Sequence, residues 1–375
     1  MRFRALLLTI TLVSVILVSI IAGIEWFNNE QRLPSFFVGV ECAYGNESDI
    51  RDLVDKVRNY TNLFVIGLPD VTFNQTALNE TCDYIYNAGL YFIILFTAPV
   101  KYVNYYPYVW IIQARQKYGV KFLGVYYFDE PGGNQLDDGK DRLAHEAENY
   151  TDAAKLFIKG LYDHAIYFLY TEVTVFTADY GLYWFDYKAG YDSVFAEFGW
   201  NHSRQLAVAL CRGAARAQNK DWGVIVTWTF NCPPYLESAN ELYDDLVLAY
   251  HAGAKYSIVF NYPEITRYGL LTEEHFDSIK RFWNHMQSNP ESHGDAQVET
   301  AYVLPEGYGF GFRNPHDTIW GLWSADEASG KIWNDLDSLF RRYPSNLDIV
   351  YDDPEFQNAI RSNYNRLIFW NETGD

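Results

Sequence analysis

From residue 34 onward the chain alternates eight times between a short β-branched or aromatic run and an amphipathic stretch of helical period. Strands are predicted at 36–41, 63–68, 91–97, 122–128, 173–177, 193–198, 224–228 and 256–261. Helices are predicted near 47–60, 74–88, 108–118, 145–168, 202–218, 236–252 and 272–288, with a shorter turn or helix near 182–189 joining the fifth and sixth strands. Asn74 and Asn201 read as N-caps, and Thr272-Glu-Glu opens a first turn that the helix dipole favours. The strand runs are almost continuously apolar, as expected of parallel strands covered on both faces. Eight strand–helix pairs in about 255 residues is the arithmetic of a (β/α)8 barrel. A doubly wound open sheet would instead carry a Gly-rich phosphate turn after its first strand, and Cys42-Ala-Tyr-Gly45 is not one. Gly307-Tyr-Gly-Phe-Gly311 also lacks the GxGxxG spacing.

The barrel is expected to occupy residues 34–290, followed by a small appendage over 291–375. After a linker at 289–295 come a strand at 301–304, an aromatic Gly-rich loop at 306–323 and a helix at 331–342. A strand at 348–351, a helix at 354–363 and a strand at 366–370 complete a β-α-β-α-β unit. Alone, about 80 residues would have a marginal core, so the unit is expected to pack on the barrel. The loop reads as the hydrophobic seam between the two. The alternative is a reach over the barrel mouth through Tyr308, Arg313, Trp320 or Trp323.

Residues 1–33 form a separate segment. Arg2 and Arg4 precede Ala5–Ile24, twenty residues without a charge. That run is long enough to span a bilayer, and its arginines favour a cytoplasmic N-terminus. A transmembrane signal anchor is therefore expected, with the remainder extracellular; cleavage as a signal peptide would make the protein secreted. Seven Asn-x-Ser/Thr sequons among 25 Asn agree with such a location: Asn46, Asn59, Asn74, Asn79, Asn149, Asn201 and Asn371. Four cysteines (Cys42, Cys82, Cys211 and Cys232) suit an oxidising compartment, and their pairing is open. None has CxxC spacing, and neither His-x-His nor HExxH occurs, so no metal and no cofactor is expected. A net charge of −19 excludes nucleic acid as a partner.

Chemistry concentrates at the predicted strand ends, which in a parallel barrel converge on one mouth. Gly124-Val-Tyr-Tyr-Phe-Asp129-Glu130 runs an apolar strand into two carboxylates, and Pro131-Gly-Gly133 then breaks it, leaving room for a ligand. Glu197 ends the sixth strand, Asp179 follows the fifth, Glu41 ends the first, and Glu264 lies just past the eighth. Tyr44, Tyr126, Trp184, Trp200, Trp228 and Tyr262 accompany them. Aromatic faces stack on the C–H face of a pyranose, while carboxylates bind hydroxyls and carry acid–base chemistry. Glu130 is the expected general acid and Glu197 its partner, with Asp179 and then Asp129 as further catalytic candidates. The remaining residues, Glu41, Tyr44, Tyr126, Trp184, Trp200, Trp228, Tyr262 and Glu264, are expected to bind an oligo- or polysaccharide.

At this level the chain resembles the (β/α)8-barrel glycoside hydrolases, broadly those with a catalytic acid at the end of the fourth strand. The resemblance implies a hydrolase using paired carboxylates. It stops short of a particular family. The fourth-strand acid of clan A barrels follows Asn and their nucleophile ends the seventh strand, whereas here Asp129 precedes Glu130 and Val226-Thr-Trp228 carries no acid. Chitinase-like barrels have Asp-x-Asp-x-Glu, and here Tyr126 and Phe128 stand at the Asp positions. The rival reading is a catalytically inactive barrel that binds glycans or builds the cell envelope. An enzyme needs one carboxyl with a raised pKa and a second close by; a binder needs neither.

Overall fold

The computed structural model describes residues 33–96, 104–137, 142–199, 202–227 and 235–372. Phe36–Asp375 form one compact unit. The other unit, Met1–Ser35, falls almost wholly outside the described residues, and the expected anchor with it. Among the described residues no helix is long and apolar enough to cross a membrane.

Eight parallel strands close into a barrel in sequence order. They are β1 (Phe37–Cys42), β2 (Leu63–Ile66), β3 (Tyr91–Phe96), β4 (Phe122–Tyr127), β5 (Thr174–Asp179), β6 (Ser193–Phe198), β7 (Asp221–Val226) and β8 (Tyr256–Val259). β8 closes the ring by pairing Tyr256 with Phe37 of β1. The covering helices are α1 (Glu47–Val57), α2 (Gln75–Asn87), α3 (Pro107–Tyr118), α4 (Tyr150–Leu169), α5 (Tyr183–Lys188), α6 (Arg204–Gln218), α7 (Ala239–His251) and α8 (Glu273–Ser288). Asn74 caps α2 by accepting from the Thr76 and Ala77 amides, and α8 opens after Thr272 with Glu273 and Glu274 in its first turn, both as predicted. For α6 the cap is Ser203, while Asn201 lies outside the described residues.

Successive strand residues face opposite sides, so every second side chain enters the barrel. Phe37, Tyr91, Phe176, Phe195 and Tyr256 fill its lower part. Phe37 stacks on Tyr256 at 5.2 Å and Phe176 on Phe195 at 5.3 Å. Rings of this size need compensating gaps. A Cβ on Gly223 would stand 2.8 Å from the Phe195 ring and 2.7 Å from the Tyr256 carbonyl oxygen. That requirement explains why β7 begins at Asp221 rather than near 224: Asp and Gly are poor strand formers, and here packing overrides propensity. Toward the C-terminal end the same inward rows arrive at Glu41 and Glu197.

The C-terminal segment forms a second, three-stranded parallel sheet in the order β10-β9-β11, from β9 (Thr300–Leu304), β10 (Leu347–Tyr351) and β11 (Arg366–Phe369). Helices α9 (Glu327–Arg342) and α10 (Gln357–Asn363) connect them. β10 lies against α6 so closely that a Cβ on Gly213 would stand 2.3 Å from the Ile349 carbonyl oxygen. Beside that contact, wholly buried Asp348 accepts from Arg212 Nε at 2.7 Å, Arg216 Nη1 at 3.0 Å and the Tyr364 hydroxyl at 2.7 Å. The 306–323 loop completes the seam. Trp320 is fully buried against Phe157 of α4 and Phe185 of α5, and Tyr308 is buried beside it.

Cys42, Cys82 and Cys211 are buried free thiols, and Cys232 is outside the described residues. The sequon residues Asn46, Asn59, Asn74, Asn149 and Asn371 are exposed, and Asn79 is half-buried with its Oδ1 accepting from the Trp110 indole.

Removing one partner of a buried ion pair strands the other charge. Asp348→Ala should therefore destabilise the protein by about 3–5 kcal/mol in a urea titration. A loss below about 1 kcal/mol would mean that the seam does not depend on this carboxylate.

Candidate active site

The C-terminal ends of the strands open into a cavity of about 470 Å³. Glu41 of β1, Leu95 of β3, Tyr126 of β4, Glu197 of β6 and Ile225 of β7 line it from the barrel, and Thr227 and Phe260 continue their rows. Asp129 and Glu130 enter from the segment after β4, and Tyr262 from the segment after β8.

The Asp129–Glu130 corner is built by unusual backbone. Phe128 and Glu130 have φ of 61° and 48°, in the left-handed region that costs non-glycine residues of order 1–3 kcal/mol each. Contacts from β5 hold the corner. The Thr177 hydroxyl donates to the Phe128 carbonyl at 2.7 Å, and the Glu130 amide donates to the Ala178 carbonyl at 3.1 Å. The Pro-Gly-Gly sequence does not leave open space for substrate, contrary to the sequence reading. It starts a short helix, Pro131–Leu136, with proline in the first turn where no amide donor is needed. Asp179 then accepts from the Gly132 amide at 2.7 Å and the Gly133 amide at 3.0 Å. A Cβ on Gly132 would lie 2.2 Å from Asp179 Oδ2, and one on Gly133 would lie 2.4 Å from the Tyr180 ring. Only glycines permit this approach.

The cavity is acidic, and among the described residues that line it there is no lysine, arginine or histidine. Burial and the neighbouring Asp129 and Asp179 carboxyls push Glu130 up to about 8. Burial and repulsion from Glu130 and Asp129 hold Glu197 well above the usual carboxylate range. Both glutamates line the same cavity, and the Glu130 charge bears directly on Glu197. Burial, then Asp129, raises Glu41 to about 8. Asp129 meets solvent at the mouth, yet surrounding protein raises it too, and it accepts from the Tyr126 hydroxyl. Behind this group, burial lifts Asp179 to about 6, and burial and the Asp179 charge hold Asp186 of α5, whose carboxyl oxygens are buried without a hydrogen bond, well above the usual carboxylate range. Arg313 lines a small adjoining cleft that also touches Glu197, and it is paired with Asp137 and Asp317.

Of the residues read from sequence, Glu41, Tyr126, Asp129, Glu130, Glu197 and Tyr262 come together in the cavity. Asp179 stands behind it, seating the Glu130 segment. Trp184 is elsewhere: it is buried at the seam, its indole donating to Asp353 at 3.3 Å, because α5 turns its aromatic face toward the appendage. Tyr44 is buried beside Gly269 and does not line the cavity, and Glu264 is exposed on the loop after β8. Trp200 and Trp228 lie outside the described residues. Sequence reading passed over Asp186, although an acid inside the aromatic run Tyr183-Trp-Phe-Asp-Tyr187 was a signal of forced burial. Thr227 carried no comparable signal.

No protein-family model matches this sequence, and no curated protein matches it. Solved structures do resemble it in fold. A GH5_18 protein from Bifidobacterium longum subsp. infantis superposes with a TM-score of 0.53 at 10% identity, covering 90% of this chain and 97% of that one. A beta-mannanase from the blue mussel Mytilus edulis gives 0.46 at 9% identity over 69% and 93%. An endo-1,4-beta-mannanase from Eisenia fetida gives 0.42 at 12% identity over 67% and 91%. What this chain shares with the GH5_18 protein is the (β/α)8-barrel fold, without assignment to a family.

The raised carboxyls set a pH dependence. Between about 4.5 and about 8 the unfolded chain loses protons that Glu41 and Glu130 keep in the folded state, so stability falls as pH rises. Thermal unfolding across this window should show the decline, and Glu41→Gln should flatten part of it; an unchanged slope would mean that Glu41 titrates normally.

Proposed function

We propose that this protein is a glycoside hydrolase that cleaves a glycan in the strand-end cavity, with Glu130 and Glu197 as its carboxyl pair. The observation that carries this reading is that two glutamates, one on β6 and one just past β4, line a single cavity of sugar size, with the Glu130 charge raising Glu197. Such a pair holds one proton and one negative charge once it first ionises, as a glycosidase needs. Glu197 is the more deeply buried and is held well above the usual carboxylate range, which makes it the acid that protonates the leaving oxygen. Glu130, half-buried, is the first to ionise and becomes the nucleophile or base. This reverses the roles expected from sequence. Tyr262, 44% exposed at the mouth, offers a stacking face, and Asp129 a hydroxyl partner.

The uncharged stretch behind Arg2 and Arg4 supports a single-pass anchor with the barrel outside the cell, and the exposed sequons support N-glycosylation. Both belong to the proposal, as does the choice of a cell-surface or environmental glycan.

Glu130→Gln and Glu197→Gln should each lower turnover by about 10²–10⁴-fold with unchanged circular dichroism. An aryl glycoside with a good leaving group should restore Glu197→Gln selectively, and azide should restore Glu130→Ala. Full turnover in both glutamine variants would remove the pair from catalysis.

A further inference from the structure

Two groups in the cavity have no partner. Glu41 is 1% exposed, yet neither of its carboxyl oxygens has a hydrogen bond. Thr227 Oγ1, just past β7 and two strands round the ring from β1, is likewise buried and unpaired. Leaving a buried acceptor unmatched destabilises a fold, so its retention points to a partner that arrives with the ligand. Neighbouring strands make space for both groups. A Cβ on Gly67 would stand 2.2 Å from Glu41 Oε1, and one on Gly199 would stand 2.0 Å from Thr227 Oγ1.

The chemistry of the missing partner follows from its surroundings. Glu41, Asp129, Glu130 and Glu197 all face the cavity, and among the described residues no cationic side chain lines it. Arg313 in the adjoining cleft is committed to Asp137 and Asp317. Among the described residues no cluster could hold a metal ion. A sugar hydroxyl would satisfy one oxygen of Glu41 and leave the excess of carboxyls unanswered. An ammonium group brings three N–H donors and a positive charge on one small atom. That charge would draw the proton from Glu41, which the free cavity keeps on it up to about 8, and leave a carboxylate, a second carboxyl and a hydroxyl to accept. Leu95, Ile225 and Phe260 supply apolar wall for the ring that carries it.

We propose that the glycan bound here contains an amino sugar with a free ammonium group, held by Glu41 with support from Asp129 and Thr227. This rests on the glycosidase reading for the cavity's purpose, but its test does not need turnover. The intact protein would be titrated calorimetrically with D-glucosamine, D-glucose and N-acetyl-D-glucosamine, at a pH where the amine is protonated. Glucosamine should bind about tenfold or more tightly than glucose, because a charge-assisted bond replaces a neutral one. Acetylation should erase the preference, since it removes the charge. Glu41→Gln should bring glucosamine down to the level of glucose. The wild-type comparison stands even if that variant fails to fold. Equal binding of glucose and glucosamine, no binding of glucosamine, or a preference that survives in folded Glu41→Gln would overturn the proposal. A clear ammonium preference without cleavage of any glycoside would keep it and reject the hydrolase. Cleavage of neutral glycans without an ammonium preference would do the reverse.

Discussion

An eight-stranded closed barrel encloses a space only as wide as the side chains that fill it, and sharing out that space constrains everything above it. Phe37, Phe176, Phe195 and Tyr256 occupy the lower interior, with Gly223 yielding volume between them. Because every second residue of a strand enters the barrel, fixing Phe195 inside also fixes Glu197 inside, one pleat higher. Glu41 follows Phe37 and Gly39 in the same way. The carboxyls therefore rest on an apolar plug, which keeps water from reaching them from below. Their raised pKa values are a consequence of that packing before they are a feature of any reaction.

A second line of contacts runs from the seam to the site. Trp320 packs on Phe185, and the next residue of α5, Asp186, is buried within electrostatic reach of Asp179. Asp179 in turn receives the Gly132 and Gly133 amides and so seats Glu130. The small sheet thus braces the helix that supports the strained corner after β4. This gives a physical reason for the appendage to be packed on the barrel, through Asp348 and its arginines, rather than tethered to it.

Much of this architecture was legible in the chain, because hydrophobic period and turn residues are local signals. The strand at 193–198 was read to the residue, and the Asn74 cap was identified by its position before an amphipathic run. Errors arose where packing overrode local preference. β7 starts in Asp-Trp-Gly, and the tryptophan of Tyr183-Trp-Phe faces the seam although it follows a strand end. In the site, a carboxylate at a strand end could be recognised as an acid aimed at the mouth. Which acids line the cavity and which sit behind it could not, since Asp179 and Glu197 look alike in sequence.

The sequence by itself determined the alternation that makes a barrel, the acidity of its mouth and the position of Asp129-Glu130 at a strand tip. Periodicity and composition carry that information without reference to distant residues. Only the tertiary structure decided that Glu130 and Glu197 line one cavity, that Asp179 binds two glycine amides and that Glu41 is buried with no partner. Those facts depend on bringing together residues 46 to 67 positions apart, and on a pleat whose inward face is chosen by closure of the whole ring.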